Sequence, residues 1–166
     1  MVHGPRSYQQ GRSTTTAQRQ PFAPADPPSQ FCGAICHDGL YNVPTSIIQG
    51  DILDFDPSFG GRAYIWSNQA GLERFNPASP ARLQNWKNAP PTLVIHSEKD
   101  YRCPITEGLA TFKTLQAQGV PSRFLTFPDE GHWVMGAENA LFWYDAVLEW
   151  MDRCTKGEVK RGDKEW

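Results

Sequence analysis

The chain has 166 residues, 39% of them hydrophobic and 20% charged, with a formal net charge of -2 at pH 7. This size favours one domain, and without a basic patch nucleic acid is excluded as a natural partner. No apolar run approaches the roughly 20 residues of a membrane helix, and residues 1–10 lack the apolar stretch of a secretory signal, so the compartment stays open.

Residues 1–30 are rich in Pro, Ser, Thr, Gln and Arg, and Pro21, Pro24, Pro27 and Pro28 interrupt any regular element. So few large apolar side chains cannot offset the entropy of ordering, and the segment is predicted to be disordered or loosely attached, unlike the front of a domain. The folded domain is expected over residues 31–154. F-C-G-A-I-C (31–36) reads as a short buried strand closed by the turn signal H-D-G. Residues 42–48 suit a helical turn and 51–61 a loop, while 63–75 fit no single pattern. Asn76-Pro77 and Pro80 mark turns before a loop at 85–91.

Residues 92–96 form an apolar run bounded by Pro91, as expected of a parallel strand covered on both faces. A helix is predicted from about Pro104. Ile105, Leu109, Phe112 and Leu115 recur at i, i+4, i+7 and i+10 as a core-facing stripe, and Gly119 is placed to end it. Residues 123–127 read as the next strand, which completes a strand–helix–strand unit. The last helix is predicted over 137–153, with Leu141, Tyr144, Leu148 and Met151 as its inner stripe and Val147 beside it. Residues 155–166 form a charged tail expected to fray. Cys32, Cys36, Cys103 and Cys154 fit no zinc spacing and read as small buried hydrophobes rather than disulfide partners, so no metal is expected.

Asp100 follows the 92–96 strand, and His132 follows the 123–127 strand. If those strands are parallel neighbours, both residues emerge at one sheet edge, where α/β enzymes place their chemistry. A carboxylate that fixes a histidine tautomer, and a histidine that takes a serine proton, are two parts of a serine hydrolase. The order acid then histidine is that of the α/β-hydrolases. The competing readings are plainer: Asp100 as a turn residue or helix cap, and His132 as a surface or packing residue. By the same reasoning His37-Asp38 marks a turn and Glu130 is a solvated side chain.

The stretches L-V-I-H-S-E-K-D-Y-R-C-P-I and F-L-T-F-P-D-E-G-H-W, with the earlier I-C-H-D-G, carry a resemblance. They resemble the C-terminal part of the catalytic domain in the prolyl oligopeptidase family of serine peptidases, in its fungal dipeptidyl-peptidase and acylaminoacyl-peptidase-like branch. The likeness covers about residues 31–153. It implies an α/β-hydrolase fold, a parallel sheet flanked by helices, of which this chain carries only the C-terminal portion, with an incomplete sheet. It implies serine-dependent cleavage of short peptides near their N-termini without a cofactor, with Asp100 and His132 at the family's catalytic acid and histidine. Full-length fungal members are often secreted.

The family's nucleophile lies in a G-x-S-x-G-G elbow, whose glycines permit a turn too sharp for side chains. This chain has no G-x-S-x-G. Ser13, in G-R-S-T-T, stands 24 residues before His37, near the expected separation, but Thr15 replaces the second glycine. Ser58, in D-P-S-F-G-G, has Asp56 where the leading glycine belongs. Ser13 is the weak candidate nucleophile. The expectation is family membership without family activity from this exact chain. The alternative is a non-catalytic fragment or interaction module that self-associates through an exposed sheet edge.

Overall fold

The computed structural model describes residues 9–11, 31–51, 76 and 78–160. The expected loop at 51–61 beyond Asp51, the ambiguous stretch 63–75, Ser13, Ser58, the rest of the first thirty residues and residues 161–166 lie outside them.

Four strands form one parallel sheet in chain order: β1 (Gln9–Gly11), β2 (Ala34–His37), β3 (Thr92–Ser97) and β4 (Ser122–Phe127). Helix α1 (Val43–Gln49), the short helix α2 (Pro80–Leu83) and a 3-10 turn at Trp86–Asn88 connect β2 to β3. Helix α3 (Ile105–Ala117) joins β3 to β4, and α4 (Ala137–Lys156) follows β4. Strand β1 falls inside the segment expected to lack elements. Gln9, Gln10 and Gly11 pair with Ala34, Ile35 and Cys36, so β2 is not the sheet edge.

The sequence of β3 explains its central place. All six of its residues are buried, because neighbours cover both faces. Alternation sorts its side chains between two cores. Leu93 and Ile95 join Ile35, Phe127, Val147, Trp150 and Cys154 on the α4 side. Val94 joins Trp86, Leu115 and Val120 on the α3 side. Burying aromatics and branched aliphatics of this size stabilises the fold by about 1.5–3 kcal/mol each.

Both predicted helix stripes are corrected in part. In α4, Leu141, Tyr144 and Leu148 are exposed, and the buried line is Ala146, Val147, Trp150 and Cys154, with Trp143 and Met151 packed at its margin. The helix carries two apolar stripes, and the bulk of Trp150 fixes which one faces the sheet. In α3, Leu115 is buried but Leu109 is 46% exposed. Phe112 packs against the α3-side core as expected, and the buried residues are Glu107, Gly108, Thr111 and Leu115. Gly108 is the reason: a Cβ there would lie 2.6–2.8 Å from the His96 ring, so only glycine lets the helix approach β3 this closely. The tail is also more ordered than expected, since Val159 packs into the α4-side core beyond the left-handed Gly157 cap. Cys103 and Cys154 are buried, and Cys32 and Cys36 are partly so. No helix among the described residues is long and apolar enough to cross a membrane.

Gly108→Ala sets two effects against each other. Alanine favours a helix interior by about 1 kcal/mol, whereas overpacking a close contact costs about 1–3 kcal/mol. The His96 ring is fully buried and cannot swing aside. Net destabilisation of up to about 2 kcal/mol is expected in urea unfolding; a raised midpoint would contradict the close approach.

Candidate active site

Asp100 and His132 are delivered to one sheet edge by registered strands. Ser97 at the end of β3 pairs with Phe127 at the end of β4, so the two following loops start abreast. The Glu98 amide donates to the Phe127 carbonyl at 2.9 Å and the Lys99 amide to the Glu130 carbonyl at 3.0 Å, which ties the loops together.

His132 Nδ1 lies 2.9 Å from Asp100 Oδ2. The other oxygen, Oδ1, accepts the amides of Arg102 and Cys103, both at 2.9 Å. Burial opposes the charge on Asp100. The hydrogen bonds from His132, Cys103 and Arg102 outweigh it and hold the carboxyl below its usual range. An ionised carboxylate only accepts, so Nδ1 carries the proton and Nε2 is left with the basic lone pair. This is the tautomer a general base needs. Trp133 stands edge-on to the His132 ring, and the Arg102 guanidinium lies 5.4 Å from the Trp133 centroid.

The predicted acid and histidine are therefore brought together. Ser13 is not placed with them, because it lies outside the described residues. Glu130 departs from its expected solvated role. It is buried, and its carboxylate accepts the amides of Met135 and Gly136 and the Asn139 side chain. The Asn139 bond and those amides hold it below the usual carboxylate range. Glu130 thus fastens the loop bearing His132 to the start of α4.

Three further residues join the site: His96, which was read as part of a covered strand, and His37-Asp38, which were read as a turn. His96 is fully buried beneath Asp100, with Nε2 donating to the Cys103 carbonyl and 3.5 Å from Asp100 Oδ2. Burial keeps it neutral near pH 7 by lowering its pKa. Asp38 is no surface turn residue. It is buried, at φ 52°, with Oδ2 3.1 Å from His37 Nε2 and 3.9 Å from His132 Nδ1. Burial, then the Asp100 charge, pushes the Asp38 carboxyl up to about 8. Burial and the neighbouring histidines push His37 down to about 4. The sequence signal for Asp38 was the one used for Asp100, an acid just past an apolar strand.

Asp100, Cys103 and His132, or Asp38, His96 and Asp100, are close enough together to ligate a metal. The donor chemistry argues for a relay instead. A metal would take the Nδ1 already bonded to Asp100, and burial raises the Cys103 thiol to about 12, far from the ligating thiolate.

The family model for the prolyl oligopeptidase family matches residues 22–158. The chain belongs to this family. Its members are serine peptidases, and the chain is a partial α/β-hydrolase domain of that lineage. It is 40% identical over 124 residues to dipeptidyl-peptidase 5 of Aspergillus fumigatus, covering 75% of this chain and 17% of that protein. It is 37% identical over 134 residues to dipeptidyl-peptidase 5 of Aspergillus oryzae, covering 81% of this chain and 18% of that protein. The chain thus spans less than a fifth of these relatives. Among solved structures, the acylaminoacyl peptidase of Pyrococcus horikoshii superposes with a TM-score of 0.62 at 27% identity, over 82% of this chain and 22% of that one. A puromycin-hydrolyzing peptidase of Mycobacterium tuberculosis shares the fold, with a TM-score of 0.65 at 18% identity over 82% of this chain and 20% of that one.

Two outcomes follow from these contacts. Glu130→Gln is expected to speed amide hydrogen exchange at Met135 and Gly136 by roughly tenfold or more, with the sheet amides unchanged; uniform exchange would assign Glu130 no local role. Asp38 has a folded-state pKa above its unfolded value of 3.8, so its contribution to stability is full below 3.8 and falls as pH rises toward 8. Asn cannot titrate and tolerates positive φ, so Asp38→Asn should gain stability over the wild type across that interval. The gain should be on the order of a few kcal/mol in urea unfolding at successive pH values. A pH-independent difference would contradict the raised carboxyl.

Proposed function

We propose that this chain carries the acid–histidine relay of a dipeptidyl-peptidase-like serine peptidase. The reaction is hydrolysis of short peptides near their N-termini. Asp100 orients His132, and His132 Nε2 removes the serine proton and later returns it to the leaving amine. The observation that carries this reading is the 2.9 Å contact from His132 Nδ1 to an Asp100 whose second oxygen already holds two amides. The names of the fungal relatives support the peptidase class.

Ser13 is the nucleophile position in this reading. It comes two residues after β1, which runs parallel beside β2. The elbow is defective, with Thr15 in place of the second glycine, and the chain as it stands is proposed to be inactive. A second reading, an interaction module, draws on the exposed Leu141, Phe142, Tyr144 and Leu148 of α4.

A fluorophosphonate probe with peptide mapping tests the assignment. The wild type is expected to label weakly or not at all. Thr15→Gly completes G-x-S-x-G and is expected to bring labelling to Ser13. Asp100→Asn or His132→Ala in that background should cut the labelling rate by roughly 10³-fold or more. Labelling that survives His132→Ala, or that falls on another serine, would refute the relay. No labelling of Thr15→Gly would remove Ser13 as the nucleophile position.

A further inference from the structure

The relay has one carboxyl more than a serine hydrolase uses. Adjacent parallel strands each release an acid at the same edge: β2 ends at His37 and gives Asp38, and β3 ends at Ser97 and leads to Asp100. The Asp38 amide donates to the Ile95 carbonyl at 3.0 Å, which holds Asp38 beside the end of β3. Its carboxyl oxygen Oδ2 lies 3.9 Å from His132 Nδ1, against 2.9 Å for Asp100, a difference of about 1 Å.

We propose that Asp38 is a positioning residue of the relay, a second acid that stands behind Asp100 and accepts the His132 Nδ1–H bond when Asp100 is lost. This rests on the relay reading above. Asp38 is buried, and its Oδ1 has no hydrogen-bond partner. Buried carboxyl oxygens are seldom left so. Nor is its neighbour His37 a satisfied partner, since His37 Nε2 lies within ion-pair distance but makes no hydrogen bond.

The two carboxyls divide their roles by environment. Ligand atoms of Asp38, His96 and Asp100 lie within 4.8 Å of one another, and two buried carboxylates so close do not both ionise readily. Asp100 has two amides and the His132 Nδ1–H to stabilise its charge. Asp38 has only the Ser97 amide easing its charge, so the shared proton resides on Asp38. The groups facing it are Cys36 and His37 from β2, His96 from β3, Asp100 and Cys103 from the loop after β3, and His132 from the loop after β4. Both cysteines hold their protons, because burial raises Cys36 to about 11 and Cys103 to about 12. His37 and His96 are neutral near pH 7. In that range Asp38 is therefore the neighbour of His132 whose loss of a proton adds a second negative charge beside the ring.

Ring-selective ¹⁵N NMR on the whole chain tests this without requiring turnover. The wild type should show a downfield, exchange-protected His132 Nδ1–H signal whose position inflects near pH 8. Asp38→Asn should keep the signal and lose the inflection. Asp100→Asn should keep a protected signal, now bonded to Asp38, and Asp38→Asn with Asp100→Asn should lose it. Equal loss in Asp100→Asn alone and in the double variant would overturn the proposal. So would a wild-type trace flat from roughly pH 6 to 10, and that arm decides if Asp100→Asn does not fold. A chain that never labels with fluorophosphonate but gives these traces loses the peptidase reading and keeps the second acid. A chain that labels but shows no Asp38 dependence does the reverse.

Discussion

The arrangement depends on Asp100 being held at three points at once. Two backbone amides fix one oxygen and His132 fixes the other. Each bond to a charged acceptor is worth about 1.5–3 kcal/mol, and removing a partner would strand a buried anion. The amides belong to the turn that enters α3, so the helix start is placed by the same carboxylate that orients the imidazole. The proposed function and the local structure draw on the same three bonds.

That geometry is possible because β3 and β4 are parallel and end in register. It was legible in the sequence because β3 is an apolar run and β4 carries Phe124, Leu125 and Phe127 before a turn, and because α3 bridges them at ordinary length. Which helix faces turn inward was not legible. In α4 two apolar stripes compete, and local periodicity does not reveal that Trp150 and Cys154 meet β3 and β4 while Leu141, Tyr144 and Leu148 do not. In α3 the deciding residue is Gly108, which carries no hydrophobic signal and acts by letting a backbone approach a ring.

The buried titratable cluster was hidden for a different reason. His96 reads as one more residue of a covered strand, and His37-Asp38 as a turn, because each has an ordinary local explanation. Their roles arise across strands, from Asp38 lying against β3 and His96 lying beneath Asp100. Glu130 was misread in the same way: its partners sit five to nine residues ahead, on the far side of the histidine it supports. One-dimensional patterning assigns such polar groups to solvent, since burial of a carboxylate is improbable until its donors are known.

The acid and histidine follow β3 and β4, whose Leu93, Ile95 and Phe127 pack into the α4-side core. The strand leading to Ser13 is different. Covered parallel strands call for apolar residues on both faces, and β1 offers Gln9, Gln10 and Gly11. It pairs through three residues, whereas β3 and β4 pair through six. Its sequence supplies no large apolar side chain. A serine must sit within a fraction of an ångström of productive geometry to be activated. The proposed relay therefore follows strands whose side chains fill the core, whereas the three residues of β1 that precede Ser13 include no large apolar one.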